Sequence, residues 1–252
     1  MPSRRPGRVL VGTSGWEYRH WRGRFYPADL PQDRWLEHYV AHFTTVELNN
    51  SFYRLPEGDT FAGWARRLPD GFVMGVKASR YLTHLKHLRE PREPLRRFWT
   101  RARRLGSHLG PVLYQLPPRW RRDDERLRRF LDAIPGDQLQ AIEFRDPDWY
   151  APAVEALLEA SGVALVLHDM SGSARQDRPV GPFIYVRFHG SGQRYGGAYP
   201  YQRLSAWARR LAEWAADGRD AYVYFNNDIE GHAVRDAGRL RSYLERRGVQ
   251  VA

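Results

Sequence analysis

Apolar and polar positions along this chain fall into two kinds of segment. Eight short runs are rich in Val, Ile, Leu, Tyr and Phe and contain few interruptions. Near-continuous apolar character over so few residues is typical of strands that are covered on both faces. The predicted strands are residues 8–14, 44–52, 71–79, 111–117, 140–146, 163–169, 183–190 and 221–228.

Helical patterns lie between most of these strands. Eight strand–helix alternations in 252 residues are typical of a single (β/α)8 barrel of the TIM type. An open doubly wound sheet is the alternative, but the first strand runs into Gly-Thr-Ser-Gly-Trp and not into the G-x-G-x-x-G phosphate loop. The predicted helices are residues 31–43, 60–68, 94–106, 123–134, 151–161, 201–216 and 232–247.

One strand–helix unit is irregular. The segment 170–182, between strands six and seven, is rich in Gly, Pro and Ser and shows no helical pattern. No low-complexity linker divides the chain. We therefore predict one α/β barrel domain over residues 1–252, with an irregular unit between strands six and seven.

Composition narrows the class of protein. The chain is 42% hydrophobic and 13% aromatic, which is typical of a globular protein. It has no Cys, which excludes disulfides, thiolate metal sites and a thiol nucleophile. The N-terminal residues lack an apolar signal core, and no run of ~18 apolar residues occurs. We expect a cytoplasmic protein that does not bind membranes.

The charge of the chain is unevenly distributed. The sequence has 40 Lys and Arg against 29 Asp and Glu, a net charge of +11. Residues 77–129 hold 16 of the basic and 5 of the acidic residues, which accounts for the whole surplus. Such a concentration attracts polyanions and phosphorylated ligands. The structural alternative is a solvated, arginine-rich helix face.

Polar residues occur where the predicted strands end. In a barrel the ligand site lies at the carboxyl ends of the strands. A spacing of two residues predicts that polar groups of strands two, five and seven share a face of their strand. The set consists of Glu47, Asn49, Ser51, Lys77, Gln115, Glu143, Arg145, His168, Asp169, Arg187, His189, Asn226, Asn227 and Asp228.

Two interpretations of this set remain open. The charges either neutralise one another and plug the barrel, or surround a ligand, and each isolated buried charge would cost several kcal/mol. Because guanidinium groups match phosphate oxygens, we expect an anionic ligand. Arg145, Arg187 and Lys77 would bind it, and Glu143 or His189 would transfer protons.

The same residues are compatible with other chemistries. His168, Asp169, His189 and Glu143 are the compact metal-ligand candidates, but no recognised ligand spacing occurs, so neither a metal nor a cofactor is predicted. The Glu47 and Glu143 carboxylates would suit a sugar or sugar-phosphate isomerase or lyase. The glycine-containing segment 189–201 would form a phosphate loop, with Arg194 and Tyr195 closing over the ligand.

Five segments in order resemble the YecE-like family, known as domain of unknown function 72. They are GTSGWEYRHWRGRFYP (12–27), FTTVELNNSFYRLP (43–56), IEFRDPDW (142–149), YVRFHG (185–190) and YFNNDIEGHA (224–233). The resemblance implies a TIM-type barrel and leaves the reaction open. It adds Tyr53 and His84 to the candidate binding residues. Asp146 stands where one form of the family motif has His.

The combined prediction is a site at the strand ends that binds or hydrolyses a phosphorylated small molecule or a nucleic acid. An enzyme would be a phosphodiesterase-like or nuclease-like hydrolase. The alternatives are a non-catalytic nucleic-acid binder and the isomerase or lyase; the oligomeric state stays open. Catalytic candidates are Glu47, Lys77, Glu143 and His189. Binding candidates are Asn49, Tyr53, His84, Gln115, Arg145, Arg187, Tyr195, Asn226, Asn227 and Asp228.

Overall fold

The strands of the protein lie where the apolar runs predict them. The computed structural model describes residues 5–170, 172–173, 176–192 and 195–252. Within this part of the chain the sixth predicted strand is divided at Val166 into two short strands. The bounds are β1 Val9–Ser14, β2 Thr45–Leu48, β3 Val73–Lys77, β4 Leu109–Gln115, β5 Gln140–Glu143, β6 Val163–Leu165, β7 Leu167–His168, β8 Ile184–Phe188 and β9 Ala221–Phe225.

Helices separate most of these strands. A π-helix, Tyr81–Leu85, follows β3. Short 3-10 turns occur at Arg19–Trp21, Gln32–Arg34, Arg103–His108, Pro147–Trp149 and Ile229–Gly231. The α-helices are α1 Trp35–Val40, α2 Asn50–Tyr53, α3 Gly58–Ala65, α4 Arg92–Ala102, α5 Asp124–Leu131, α6 Pro152–Ala160, α7 Tyr201–Ala216 and α8 His232–Glu245.

The second strand ends earlier than its sequence predicts. It stops at Leu48, and Asn50–Tyr53 is helical, so the prediction that Asn49 and Ser51 share a strand face with Glu47 is wrong. The Ser51 hydroxyl donates to the carbonyls of Leu48, at 3.2 Å, and Lys77, at 2.6 Å. Asn and Ser side chains bond nearby backbone, which favours a turn over a continued strand.

The sheet has the strand order of a barrel. Its order is β6-β5-β4-β3-β2-β1-β9-β8-β7, and the end strands β6 and β7 are separated in the chain by Val166 alone. Pairing is parallel, with Gln115 opposite Glu143 between β4 and β5. The fold class is the predicted (β/α)8 barrel. The described residues of 170–182 contain no helix, as expected for the irregular unit.

By its contacts the chain divides into two compact units. The first comprises Met1–Val46, His168–Ser171 and Phe183–Ala252, in which β9 pairs with β1 and β8. The second comprises Glu47–Leu167 and Gly172–Pro182, in which β3 to β6 pair in sequence. No helix in the described part of the chain is long and apolar enough to cross a bilayer.

Candidate functional site

Lys77 lies at the carboxyl end of β3 in the second unit. Its side chain is 8% exposed, and its Nζ donates to Gln115 Oε1, at 2.7 Å, at the end of β4. The same Nζ lies 4.0 Å from the centre of the Phe52 ring. The ring and the amide hold the ammonium group in one position, because a cation is attracted to an aromatic face.

An ion pair lies at the end of the neighbouring strand. Glu143, the last residue of β5, is fully buried and pairs with Arg145, which is also almost entirely buried. Arg145 follows the strand rather than extending it, since β5 ends at Glu143. His189 likewise follows β8, which ends at Phe188. The predicted shared strand faces, of Glu143 with Arg145 and of Arg187 with His189, are therefore wrong. We name Lys77, His84, Gln115, Glu143 and Arg145 the strand-end cluster.

The pKa of His84 is lowered by the surroundings of this cluster. The pKa of its imidazole falls to about 4, first because the ring is buried and then because basic side chains surround it. Those side chains are Lys77, Arg80, His87 and Arg145. His84 packs edge-on against Phe52, with ring centres 4.9 Å apart, and its Nδ1 lies 2.9 Å from Thr83 Oγ1. It is therefore neutral at pH 7 and lies in a positive potential.

This shifted pKa predicts an acid-sensitive contribution to stability. The unfolded chain protonates His84 near pH 6.5 and the folded protein only near pH 4. Between these values the unfolded state binds more protons, so stability falls as the pH falls through this range and levels off below it. We expect the free energy of unfolding of His84→Gln, measured by denaturant titration, to fall less than that of the wild type between these pH values. The expected difference is roughly 1 kcal/mol, which is smaller than the full pKa shift implies because solvent screens the partly exposed ring. If the free energy of unfolding of both proteins changed equally with pH, the lowered pKa of His84 would be contradicted.

The remaining candidates of the second unit differ in exposure. Glu47 is fully buried on β2, whereas the Tyr53 side chain is 74% exposed on α2 and lies outside the buried cluster. Asn49 precedes α2 at its N-cap position without a side-chain capping hydrogen bond, and its buried Oδ1 accepts no hydrogen bond from the described residues. An unsatisfied buried acceptor is costly, so this atom is suited to a ligand donor or a bound water.

In the first unit, Asp169 organises the residues around His189. Its Oδ1 accepts the backbone N–H of His189 at 2.7 Å, and its Oδ2 accepts from the Tyr199 hydroxyl at 2.5 Å and the Arg203 guanidinium at 3.0 Å. Burial opposes ionisation of this carboxyl, but hydrogen bonds from His189 and Tyr199 outweigh it and lower its pKa.

The His189 ring lies between a carboxylate and a guanidinium. Its Nε2 is 3.4 Å from Arg187 Nη1, and its Nδ1 is 3.8 Å from Asp169 Oδ1. Arginine can only donate, so its bond to His189 requires an unprotonated Nε2 and places the ring proton on Nδ1. All three side chains are at most 5% exposed.

A second buried carboxylate in this unit was not among the predicted residues. Asp236 accepts from the Tyr199 backbone N–H at 3.0 Å and from Asn227 Nδ2 at 2.9 Å, and pairs with Arg239. The signal was present, because Asp236 falls among the apolar positions Ala233, Ala237 and Leu240 of the 232–247 pattern. An acid on an apolar helix face requires a buried partner.

The other first-unit candidates border this network. Tyr195 has a left-handed backbone, with φ 63°, and its N–H donates to the His189 carbonyl at 2.8 Å. Asn226 is half-buried and its N–H donates to the Phe188 carbonyl at 2.7 Å. Burial raises the pKa of Asp228. Arg194, the other half of the predicted lid, lies outside the described residues.

The predicted residues thus form two sets. The second unit brings together Lys77, Gln115, Glu143, Arg145 and His84, and the first unit brings together Arg187, His189 and Asp169. Among the described residues no three His, Asp or Glu side chains are grouped so that they could hold a metal ion. Both sets combine basic side chains with a buried carboxylate, Glu143 in the second unit and Asp169 in the first.

These features define a (β/α)8-barrel protein with charged residues buried at the carboxyl ends of its strands. The family model described as "Protein of unknown function DUF72" matches residues 10–252. The chain belongs to this family, which confirms the resemblance of the sequence to YecE-like proteins.

Relatives of known sequence or structure agree with this assignment. The UPF0759 protein YunF of Bacillus subtilis is 24% identical over 94% of this chain and 95% of its own length. YecE of Escherichia coli K12 is 31% identical over 58% of this chain and 52% of its own. A DUF72 family crystal structure from Thermotoga maritima superposes with a TM-score of 0.85 and 27% identity, covering 94% of this chain and 99% of that one.

Proposed function

We propose that the strand-end cluster binds the phosphate group of a phosphorylated small molecule or of a nucleic acid. The observation that carries this proposal is that the Lys77 ammonium and the His84 imidazole pack against the same Phe52 ring, 4.0 Å and 4.9 Å from its centre. Nearby basic groups, among them Arg80 and Arg145, contribute to the lowered pKa of His84. A neutral imidazole among cations donates to a phosphate oxygen without adding a charge that must be desolvated.

The geometry of Lys77 and Arg145 supports the same ligand. Lys77 offers a compact ammonium held by Gln115, and Arg145 offers a planar guanidinium held by Glu143. Charge-assisted hydrogen bonds to phosphate are shorter and stronger than neutral ones. Both groups are already fixed by protein partners, so little conformational entropy is lost when the anion binds.

The test is calorimetric titration with inorganic pyrophosphate. We expect Lys77→Met to weaken binding at least about tenfold, a loss of about 1.4 kcal/mol, since Met keeps the chain packed on Phe52 and removes only the charge. Arg66→Ala removes an exposed arginine of the same unit and is the matched control. Equal affinity of the wild type and Lys77→Met, with both proteins folded by circular dichroism, would refute the proposal.

Hydrolysis of a phosphoester is the reaction favoured by the buried carboxylate Glu143. It would accept a proton from the water that attacks phosphorus, while the ester P–O bond breaks and the leaving oxygen takes a proton from solvent water. Glu143→Gln would then abolish turnover and retain pyrophosphate binding. If the wild type binds pyrophosphate but hydrolyses no phosphoester, the hydrolase proposal is refuted and the phosphate-binding proposal stands.

A further inference from the structure

A groove lies on the second unit between the π-helix and α4. It has a volume of about 720 Å³, within the range of small-molecule sites. Leu55, Leu82 and Phe98 line its apolar part, and Arg54 and Arg97 contribute exposed guanidinium groups. The groove therefore combines an apolar floor with a positive rim.

A second groove adjoins the first. It measures about 670 Å³, and the two share Lys86 and Glu90 as lining residues. Arg89, Arg126 and Arg129 line the second groove. Because Lys86 and Glu90 line both grooves, the grooves are adjacent, and we name the two together the loop track.

The acidic residues of the track are neutralised by specific partners. Glu57 pairs with Arg101 at 2.8 Å, and Glu90 pairs with Lys86 at 2.7 Å. The other three acids are likewise paired: Glu93 with Arg96, Asp123 with Arg126, and Glu125 with Arg128 and Arg129.

Three arginines remain as surplus positive charge along the track. Within the described residues, the side chains of Arg54 and Arg89 form neither an ion pair nor a hydrogen bond. Arg97 is attracted to Glu93 without pairing with it, since Glu93 pairs with Arg96. All three are exposed. Exposed guanidinium groups without a carboxylate partner are suited to the phosphates of a polyanion.

The first groove also has an exposed aromatic side chain. Tyr81 lines this groove and is 50% exposed. In the second groove, the Arg126 guanidinium packs against Trp120, 5.7 Å from the centre of the ring, so the ring supports this arginine. An exposed aromatic face beside cations is a surface on which a base of a single strand stacks.

The backbone of the track is fixed rather than loose. His87, Leu88 and Glu90 have left-handed conformations, with φ of 48°, 60° and 44°, which non-glycine residues rarely adopt. The buried Leu88 anchors this segment, and its N–H donates to the Leu82 carbonyl at 3.0 Å. Strain held by packing is characteristic of binding loops.

We propose that the loop track binds single-stranded nucleic acid. This inference rests on the proposed function and deepens it by naming the ligand class. The nucleic-acid strand would lie along the track and place one of its phosphates at the strand-end cluster. The π-helix links the two regions, because it contributes Tyr81 and Leu82 to the track and His84 to the cluster. An acidic peptide would use the arginines but not the aromatic face.

The test measures fluorescence anisotropy of a labelled oligothymidylate of about twelve nucleotides, a length within known single-strand site sizes. We expect Arg54→Ala/Arg97→Ala to lower affinity about tenfold or more and to reduce the slope of log K against log salt by about 1.4, since each phosphate contact contributes about 0.7. Tyr81→Ala should weaken binding about tenfold and leave that slope unchanged.

The control is Arg66→Ala/Arg209→Ala, which removes two exposed arginines outside the track and should bind as the wild type does. An equal loss of affinity in this control, or displacement of the oligonucleotide by polyglutamate of equal charge as readily as by unlabelled strand, would overturn the inference.

Failure of the inference and of the proposed function are distinguishable. Lys77-dependent pyrophosphate binding without oligonucleotide binding would overturn the track and leave the proposed function standing. Oligonucleotide binding that depends on Arg54 and Arg97, without pyrophosphate binding at Lys77, would support binding along the track and contradict the proposed function together with the placement of a phosphate at the strand-end cluster.

Discussion

Replacement of Asp169 by Ala is expected to lower the free energy of unfolding by about 3 kcal/mol, because two buried donors lose their acceptor. The donors are the backbone N–H of His189 and the hydroxyl of Tyr199. Arg203 is partly exposed and regains hydrogen bonds from water, so it adds little to the loss. Urea denaturation of both proteins at pH 7 measures the difference.

Two comparisons make this prediction specific. Asp169→Asn retains the shape and one acceptor, so it should lose less stability than Asp169→Ala. The pKa of Asp169 is lowered by folding, so its contribution should be present at neutral pH and decline only as the pH falls below about 4. Equal losses in the two variants would show that the carboxylate's hydrogen bonds do not stabilise this network.

The second large effect is expected at Gly12 in the middle of β1. A Cβ atom there would lie 2.2 Å from the carbonyl oxygen of Thr45 in β2. Backbone atoms cannot rotate away as the end of a side chain can, so β1 and β2 would have to separate. We expect Gly12→Ala to destabilise the protein by about 3 kcal/mol, at the upper end of overpacking costs. Thermal and urea unfolding measure this loss.

Gly238 provides the matched control. It lies within α8, and a Cβ added there meets no atom within 4 Å. Gly238→Ala should stabilise the protein by about 0.5–1 kcal/mol, because Ala favours the helix and restricts the unfolded chain. If the two substitutions had the same sign, the close approach of Thr45 would not be the cause.

The two units differ in how their buried carboxylates are held. In the first unit, Asp169 and Asp236 each accept several hydrogen bonds and fix His189 and Asn227 in place. In the second unit, Glu143 pairs with Arg145 and lies near the cations that surround His84. We propose that the second unit binds the anion through this cluster.

Some of the candidate site was predictable from local patterns. Lys77, Gln115 and Glu143 each lie at or after the middle of a predicted strand, and each is the last residue of its observed strand. The same reasoning was wrong at Asn49, because its side chain and that of Ser51 favour a turn after Leu48. Spacing by two predicts a shared face only while the strand continues.

Other features lie beyond any local pattern. The Lys77–Gln115 bond joins residues 38 positions apart, and the Asp236–Tyr199 bond joins residues 37 apart. The loop track depends on left-handed residues such as Leu88, whose conformation its residue type does not indicate.

The sequence by itself determined the strand–helix rhythm, the barrel class, the family and the location of the charge surplus. Each of these follows from composition or from the order of side chains along the chain. Only the tertiary structure decided which carboxylates are paired, which arginines remain exposed, and where grooves open beside α4. These depend on strand register and loop conformation, which bring together side chains that are distant in the sequence.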